Sequence, residues 1–268
     1  MIYFMKKGEL VFIGLGLYDE KDISLKGVEL VKKCDKIFAE FYTSVLTDDC
    51  IEKLEEMIGK KIEVLNREEV EDGRVILEHA MDKKVAFLVG GDPLSATTHV
   101  DLRIRAKKQG VDTKIIHGSS IFTAIPGLLG LQHYKFGRVT TLMFPHGDFF
   151  PKSPYEIIYE NKSRGLHTLV LLDIDRENNR FMSANEGMKL LFDMEESLGK
   201  NLINDNLLVC VVARAGSDNP VVKAGRIKRL IREDFGSPLH TLVVPGNLHF
   251  MEVEALISFA GLEKDELG

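Results

Sequence analysis

Apolar runs in this chain repeatedly end in short stretches that combine glycine, hydroxyl residues and carboxylates. GGDPLSATTH (90–99) follows VAFLV, while GLGLYDEKD (14–22), AEFYTS (39–44) and HGSSIF (117–122) close three other runs. In the second half LLDI (171–174), ARAGS (213–217) and PLH (238–240) hold comparable places. In GGDP, Gly90 and Gly91 permit positive φ and let a ligand approach backbone N–H groups, and Pro93 fixes the chain just after Asp92. A carboxylate held there suits sugar hydroxyls or an ammonium group, and capping the following helix is the equal alternative. Ser95, Thr97 and Thr98 are helix-start types whose hydroxyls read first as structural.

Other chemistries lose ground on residue type and spacing. Gly14 and Gly16 begin a GxGxxG pattern, but Asp19 stands at the third glycine, where a carboxylate would face pyrophosphate. Glu40 is the one acid that could take a ribose, so a redox enzyme stays an outsider. The eight histidines form no HxxxH or His-carboxylate spacing on one helix, and no metal site is expected. His240, which opens HTLVV after a Gly-Ser-Pro-Leu turn, reads from the residues alone as a satisfied structural histidine. There is no GxSxG, no phosphate-binding P-loop and no CxxC among the three cysteines, so hydrolysis, phosphoryl transfer and a disulfide framework are disfavoured. Thirty-five basic against forty-one acidic residues leave a formal charge of −6, which offers nucleic acid no general attraction. RIRAKK (103–108) and GRIKRLIR (225–232) read as faces of amphipathic elements, the second also as a candidate steering surface for an acidic partner. No apolar run reaches the roughly 18 residues of a membrane span, so a cytoplasmic protein is expected.

These stretches need rigid elements behind them. Short apolar runs alternate with segments of helical period, the pattern of βα units on a mainly parallel sheet, whose ligand sites lie outside the carboxyl ends of the strands. Strands are expected at LVFIG (10–14), KIFAEF (36–41), KIEVL (61–65), KVAFLV (84–89) and TKIIH (113–117), with helices between them, including one across REEVEDGRVILEHAM (67–81). HGSSIFTAIPGLLGLQHYKFG (117–137), with Pro126 and its glycines, reads as a short helix and an irregular crossing, which sets domains of 1–118 and 119–268. Beyond it TTLMF (140–144), HTLVLLDI (167–174), LLVCVVAR (207–214), VVKAG (221–225) and HTLVVPG (240–246) suggest a second, mixed sheet.

The motifs FIGLGLYDEKDISLKG, FAEFYTS, GDPLSATTH, HGSSIFTA, YKFG, GLHTLVLLDI, MSANEGM, VVARAGSDNP, IREDFGSPLHTLVVPG and LHFMEVEAL occur in order over almost the whole chain. Together they closely resemble the diphthine synthase family of the tetrapyrrole methylase superfamily. The resemblance implies an α/β protein of two α/β domains, with S-adenosylmethionine in the interdomain cleft, acting as a homodimer. It implies an S-adenosylmethionine-dependent N-methyltransferase of diphthamide biosynthesis. The protein substrate would be translation elongation factor 2, whose target histidine carries an aminocarboxypropyl group; trimethylation of its amine gives diphthine, with S-adenosylhomocysteine released. Carried over motif by motif, the cofactor contacts are Leu17, Asp92, Ser95, Ser120 and Ile121, with Leu172, Ala215 and His240 from the second half. Ser95 stands where relatives are often apolar, MIYFMKKGE reads as an extension, and Pro126 lies near a one-residue length difference. No general base is identified. A precorrin-type methylase shares fold and cofactor and is the nearest rival; a non-catalytic module binding elongation factor 2 is the rival of another class.

Overall fold

The computed structural model describes residues 8–146, 150–176 and 178–267, so the first seven residues of the expected extension lie outside the described residues. The chain divides into two compact units, one ending at Ile121 and the other beginning at Phe122.

The first unit runs β1 (Glu9–Gly14), α1 (Leu25–Val31), β2 (Lys36–Glu40), α2 (Cys50–Ile58), β3 (Glu63–Val64), α3 (Arg67–Asp72), α4 (Arg74–Ala80), β4 (Lys84–Val89), α5 (His99–Lys108) and β5 (Asp112–Ile116). Its five strands are all parallel, in the order β3-β2-β4-β1-β5. The continuous apolar runs follow from burial on both faces. Val11 and Ile13 of β1 face a layer that holds Val31, Leu54 and Ile58 of α1 and α2. Leu10 and Phe12 face the opposite layer, with Val70, Ile76, Leu77 and Leu102 of α3, α4 and α5. Each such buried side chain contributes about 1.5–3 kcal/mol, which makes this sheet the rigid base of its loops. The single helix expected over REEVEDGRVILEHAM is two. Gly73 takes φ +68°, ends α3 by donating its N–H to the Glu69 carbonyl, and starts α4 in a new direction. The strand expected over KIEVL shrinks to two exposed residues at the sheet edge, with one neighbouring strand, while Ile62 and Leu65 on either side of them are buried.

Ile121 opens α6 (Ile121–Leu129), the short helix expected before the irregular crossing, with Pro126 inside it. The second unit then runs β6 (Thr140–Leu142), α7 (Ser153–Ser163), β7 (Thr168–Leu172), β8 (Ile174–Asp175), β9 (Arg180–Phe181), α8 (Ala184–Leu198), β10 (Leu208–Ala213), β11 (Val221–Arg226), α9 (Ile227–Leu230), β12 (His240–Val244) and α10 (Phe250–Ala260). Its main sheet, in the order β11-β10-β12-β7-β6, is mixed: only β6 and β7 run parallel. HTLVLLDI, read as one strand, breaks at Asp173, whose carboxylate accepts the Phe144 N–H, and β8 pairs with β9 instead. A capping box between Ser183 and Glu186 starts α8, which packs so closely on the sheet that a Cβ on Gly187 would lie 2.8 Å from Leu172. None of the described helices is long and apolar enough to cross a membrane.

A buried carboxylate anchors α10. Glu252 is fully buried and accepts the N–H groups of Gln132 and His249, His167 Nε2–H at 3.0 Å and the Lys135 ammonium. Burial pushes this carboxyl up, but the bonds from His249, Lys135, Gln132 and His167 outweigh it and hold the group down at about 2 against an ordinary 4.5. A depressed folded-state value stabilises above the unfolded one, and the contribution fades as pH falls from about 4.5 toward 2. That depression corresponds to about 3 kcal/mol near neutrality. Glu252→Gln is therefore expected to lower stability at pH 7 by a few kcal/mol and to flatten the acid limb between pH 4.5 and 2, measured by urea unfolding across pH. An unchanged acid limb would show that Glu252 carries no such linkage.

Candidate functional site

Three glycine backbones converge at the carboxyl end of the parallel sheet. Gly14 ends β1, Gly91 follows β4, and Gly118 follows β5. A Cβ on Gly14 would lie 2.5 Å from the Gly91 carbonyl oxygen, and one on Gly118 would lie 2.4 Å from the same oxygen. Gly16 and Gly91 close the contact with a two-way bridge, Gly91 N–H to Gly16 O at 2.6 Å and Gly16 N–H to Gly91 O at 3.3 Å. The close approach expected between these glycines and a ligand is thus used by the chain itself, and Gly91, not Gly90, takes the positive φ of +70°.

The loop after β1 closes on its own acid. Asp22 Oδ2 accepts the N–H groups of Leu17 at 3.1 Å and Tyr18 at 2.8 Å, so the donors that a dinucleotide loop would offer a pyrophosphate are already engaged. Asp19, whose carboxylate argued against that reading, caps the following turn through Lys21 N–H. Glu40 does not wait for a ribose either. It is fully buried and accepts the N–H groups of Tyr42 and Thr43 and the Thr43 hydroxyl. Its Oε1 lies 3.7 Å from Nε2 of buried His99, whose Nδ1–H donates to the Pro93 carbonyl at 3.0 Å. Burial pushes the Glu40 carboxyl up and the His99 imidazole down, so both favour neutral forms. These groups clamp the AEFYTS loop to the GGDP loop.

Asp92 has three partners. Its Oδ1 accepts Leu94 N–H at 3.2 Å and the Ser95 hydroxyl at 3.1 Å, and its Oδ2 lies 2.7 Å from His117 Nδ1. Burial pushes the carboxyl up, yet the bonds from His117, Leu94 and Ser95 together hold it below its ordinary range, so it is ionised. It does not cap α5, whose N-cap is Thr98; it braces its own turn and reaches across β1 to the loop after β5. Thr97 donates its hydroxyl to the Pro93 carbonyl, as a structural residue would. Ser120 is buried and Ile121 begins α6. The sheet therefore gathers the loops that carry Leu17, Asp92, Ser95, Ser120 and Ile121 at one end, because β4, β1 and β5 are adjacent and parallel. His117 and Asp22 were missed in sequence, since neither has a local pattern to mark it.

In the second unit the expected residues also share one sheet end. β12 runs antiparallel to both β10 and β7, so His240 pairs with Ala213, the first residue of ARAGS, and Thr241 pairs with Leu171 beside Leu172. The His240 ring is taken up by the chain. Nδ1 accepts Ala184 N–H at 3.1 Å, starting α8, and Nε2–H faces the Gly236 and Ser237 carbonyls, both at 3.1 Å. Burial pushes this imidazole down, so it is neutral. The structural reading of its side chain holds, which leaves its backbone for any ligand. Arg214 takes φ +53° and donates to the Phe235 and Ser237 carbonyls, fixing the loop that carries Ala215. In that loop Ser217 Oγ is buried without a hydrogen-bond partner among the described residues.

The remaining groups carry little. In the basic stretch 225–232, which runs from the end of β11 through α9, Arg229 pairs with Glu233 and Glu266, and Arg226 bonds Asn206, which weakens it as a steering surface. Cys34, Cys50 and Cys210 are buried, and burial pushes their thiols up, the first to about 11 and the second to about 12, so no thiolate nucleophile is available.

Comparison with known proteins gives the family and the fold. The model of the Tetrapyrrole (Corrin/Porphyrin) Methylases matches residues 9–231. The chain is 53% identical over 250 residues to a diphthine synthase of Methanocaldococcus jannaschii, covering 92% of this chain and 97% of that protein. It is 50% identical over 252 residues to a diphthine synthase of Methanothermobacter thermautotrophicus, covering 94% and 96%. A crystal structure of diphthine synthase matches it with a TM-score of 0.87 at 39% identity, over 96% of this chain and 98% of that one.

The glycine contact yields a prediction. Gly118→Ala forces Cβ against two backbones and is expected to cost more than about 2 kcal/mol in urea unfolding. Gly127→Ala, whose Cβ meets nothing within 4 Å in α6, is expected to be neutral or stabilising by up to about 1 kcal/mol. Equal stabilities for the two variants would remove the glycine contact as a constraint.

Proposed function

The chain belongs to the tetrapyrrole methylase family and, within it, to the diphthine synthases, and from that premise we propose that it methylates the amine of an aminocarboxypropyl-modified histidine of translation elongation factor 2. S-Adenosylmethionine is the donor and the trimethylammonium product is diphthine. The observation that carries this reading is identity of about half over nearly the full length of curated diphthine synthases.

The residues present fit such a donor. Asp92 is ionised, and a Cβ on neighbouring Gly91 meets nothing within 4 Å, so a carboxylate stands beside open space at the sheet's carboxyl end. In the second unit the unpartnered Ser217 hydroxyl beside Ala215 is a polar group that a ligand would satisfy. We assign Leu17, Asp92, Ser95, Ser120, Ile121, Leu172, Ala215 and His240 to the cofactor, with His240 acting through its backbone. Bound there, S-adenosylmethionine supplies a sulfonium methyl group. The chain's own task is then orientation and exclusion of water, because displacement at a methyl needs reacting atoms in line and little covalent help. Asp92 orients through its charge, and the glycine-bridged loops hold that carboxylate still. A homodimer belongs to the same reading and is checked by sedimentation.

Mass spectrometry of elongation factor 2 bearing the aminocarboxypropyl histidine, after incubation with this protein and S-adenosylmethionine, tests the reaction. Stepwise methyl increments on that residue are expected. Cofactor binding without any increment would remove the acceptor and turn attention to tetrapyrroles. Asp92→Ala is expected to weaken the cofactor at least about tenfold in calorimetry, close to 1.4 kcal/mol; unchanged affinity would remove Asp92 from the site.

A further inference from the structure

The acceptor amine is protonated near neutral pH and has no lone pair to offer until a proton leaves. We propose that His117, oriented by Asp92, is the general base that takes that proton before each methyl transfer, an assignment that rests on the acceptor named in the preceding subsection. The geometry is that of a carboxylate-imidazole pair. Asp92 Oδ2 stands 2.7 Å from His117 Nδ1, and an ionised carboxylate only accepts, so the proton of the neutral ring sits on Nδ1. The lone pair is then on Nε2, which has no bonded partner among the described residues. Asp92 is largely enclosed, with its side chain 11% exposed, whereas the His117 side chain is 75% exposed and open to a substrate carried by another protein.

The backbone under this pair is fixed. His117 lies between the last residue of β5 and Gly118, which is wedged against Gly14 and Gly91, while Asp92 directly follows Gly91. One glycine contact thus sets the register of both partners. Other basic groups of these loops are shut off from a substrate: His99 is 1% exposed and committed to Pro93, Glu40 is fully buried and committed to its own loop, and the unpartnered Oε2 of Glu20 is buried. Asp92 is the charged group that forms an ion pair with His117 among the described residues.

Each cycle balances. An N–H bond of the acceptor ammonium breaks, its proton bonding to Nε2 and its electron pair remaining on nitrogen. The nitrogen then bonds the methyl carbon as the carbon–sulfur bond of the sulfonium donor breaks, that pair going to sulfur. The imidazolium returns its proton to water, which its exposure permits, and is ready for the methylammonium and then the dimethylammonium stage. The trimethylammonium product has no N–H left, so the base has no further role.

The test separates a base from a brace. His117→Asn keeps a side-chain N–H facing Asp92 but has no basic nitrogen. It is expected to hold cofactor affinity within about twofold in calorimetry while kcat falls about 100-fold or more. His117→Ala is expected to regain activity when imidazole is added. Nitrogen NMR of the ligand-free protein should show the neutral His117 ring protonated on Nδ1, and protonated on Nε2 in Asp92→Asn. A His117→Asn enzyme within about threefold of the wild-type kcat, or a neutral ring protonated on Nε2 in the wild type, would overturn the role of His117 alone. Failure of the wild type to methylate the acceptor at all would overturn the acceptor assignment and the proposal with it.

Discussion

The site loops of the first unit depend on a steric constraint: three backbones approach at the carboxyl end of the parallel sheet more closely than any Cβ allows. Gly14, Gly91 and Gly118 meet there, and the bridge between Gly16 and Gly91 locks the approach with two hydrogen bonds. A parallel sheet makes this contact possible, since β4, β1 and β5 deliver three chain ends to one place. The consequence is positional. Asp92 and His117, one residue away on either side, are carried by backbone that cannot shift independently.

Around that contact the chain meets most of its own polar needs. Asp22 holds the loop after β1, Glu40 and His99 hold the loop after β2 against the loop after β4, and Asp92 braces its own turn. Unmade hydrogen bonds in such places cost about 1–3 kcal/mol each, so loops of this kind are rigid only when nearly every donor is used. What stays open therefore stands out. In the first unit the outer nitrogen of His117 stays open to solvent, while in the second the Ser217 hydroxyl, like the Glu20 carboxylate and Thr47 hydroxyl oxygens of the first, is buried without a hydrogen-bond partner among the described residues. The second unit follows the same logic, with Arg214 tying its loop to the Phe235 and Ser237 carbonyls and the His240 ring starting α8.

Preorganisation of this kind suits methyl transfer. The reaction asks for alignment and a deprotonated acceptor, not for a nucleophile of the protein's own; the three cysteines are buried and the sequence has no GxSxG serine. The pairing of a nearly enclosed carboxylate with an exposed imidazole divides the work between holding a position and exchanging protons with water.

Much of this was written in the order of residues. The two-faced burial of β1 and β4 made their apolar runs legible, and the glycine, proline and hydroxyl punctuation after them marked the loops at the carboxyl end of the sheet. The run of motifs was long enough to indicate the family, because many short matches in order are far more specific than any single pattern. Sequence also conveyed that the second sheet would be mixed and, from the residues alone, that the His240 ring would be satisfied within the chain. Other features depended on the fold. Gly73 split one helical period into two helices, since periodicity does not register a positive φ. KIEVL dwindled because its place at an edge is a property of strand order, not of its residues. Tertiary structure alone decided that Gly91 would meet Gly16 and Gly118 and that Asp92 would find a histidine twenty-five positions away. Those contacts join residues distant in the chain, and local physics carries no information about which distant partner a crossover will bring near.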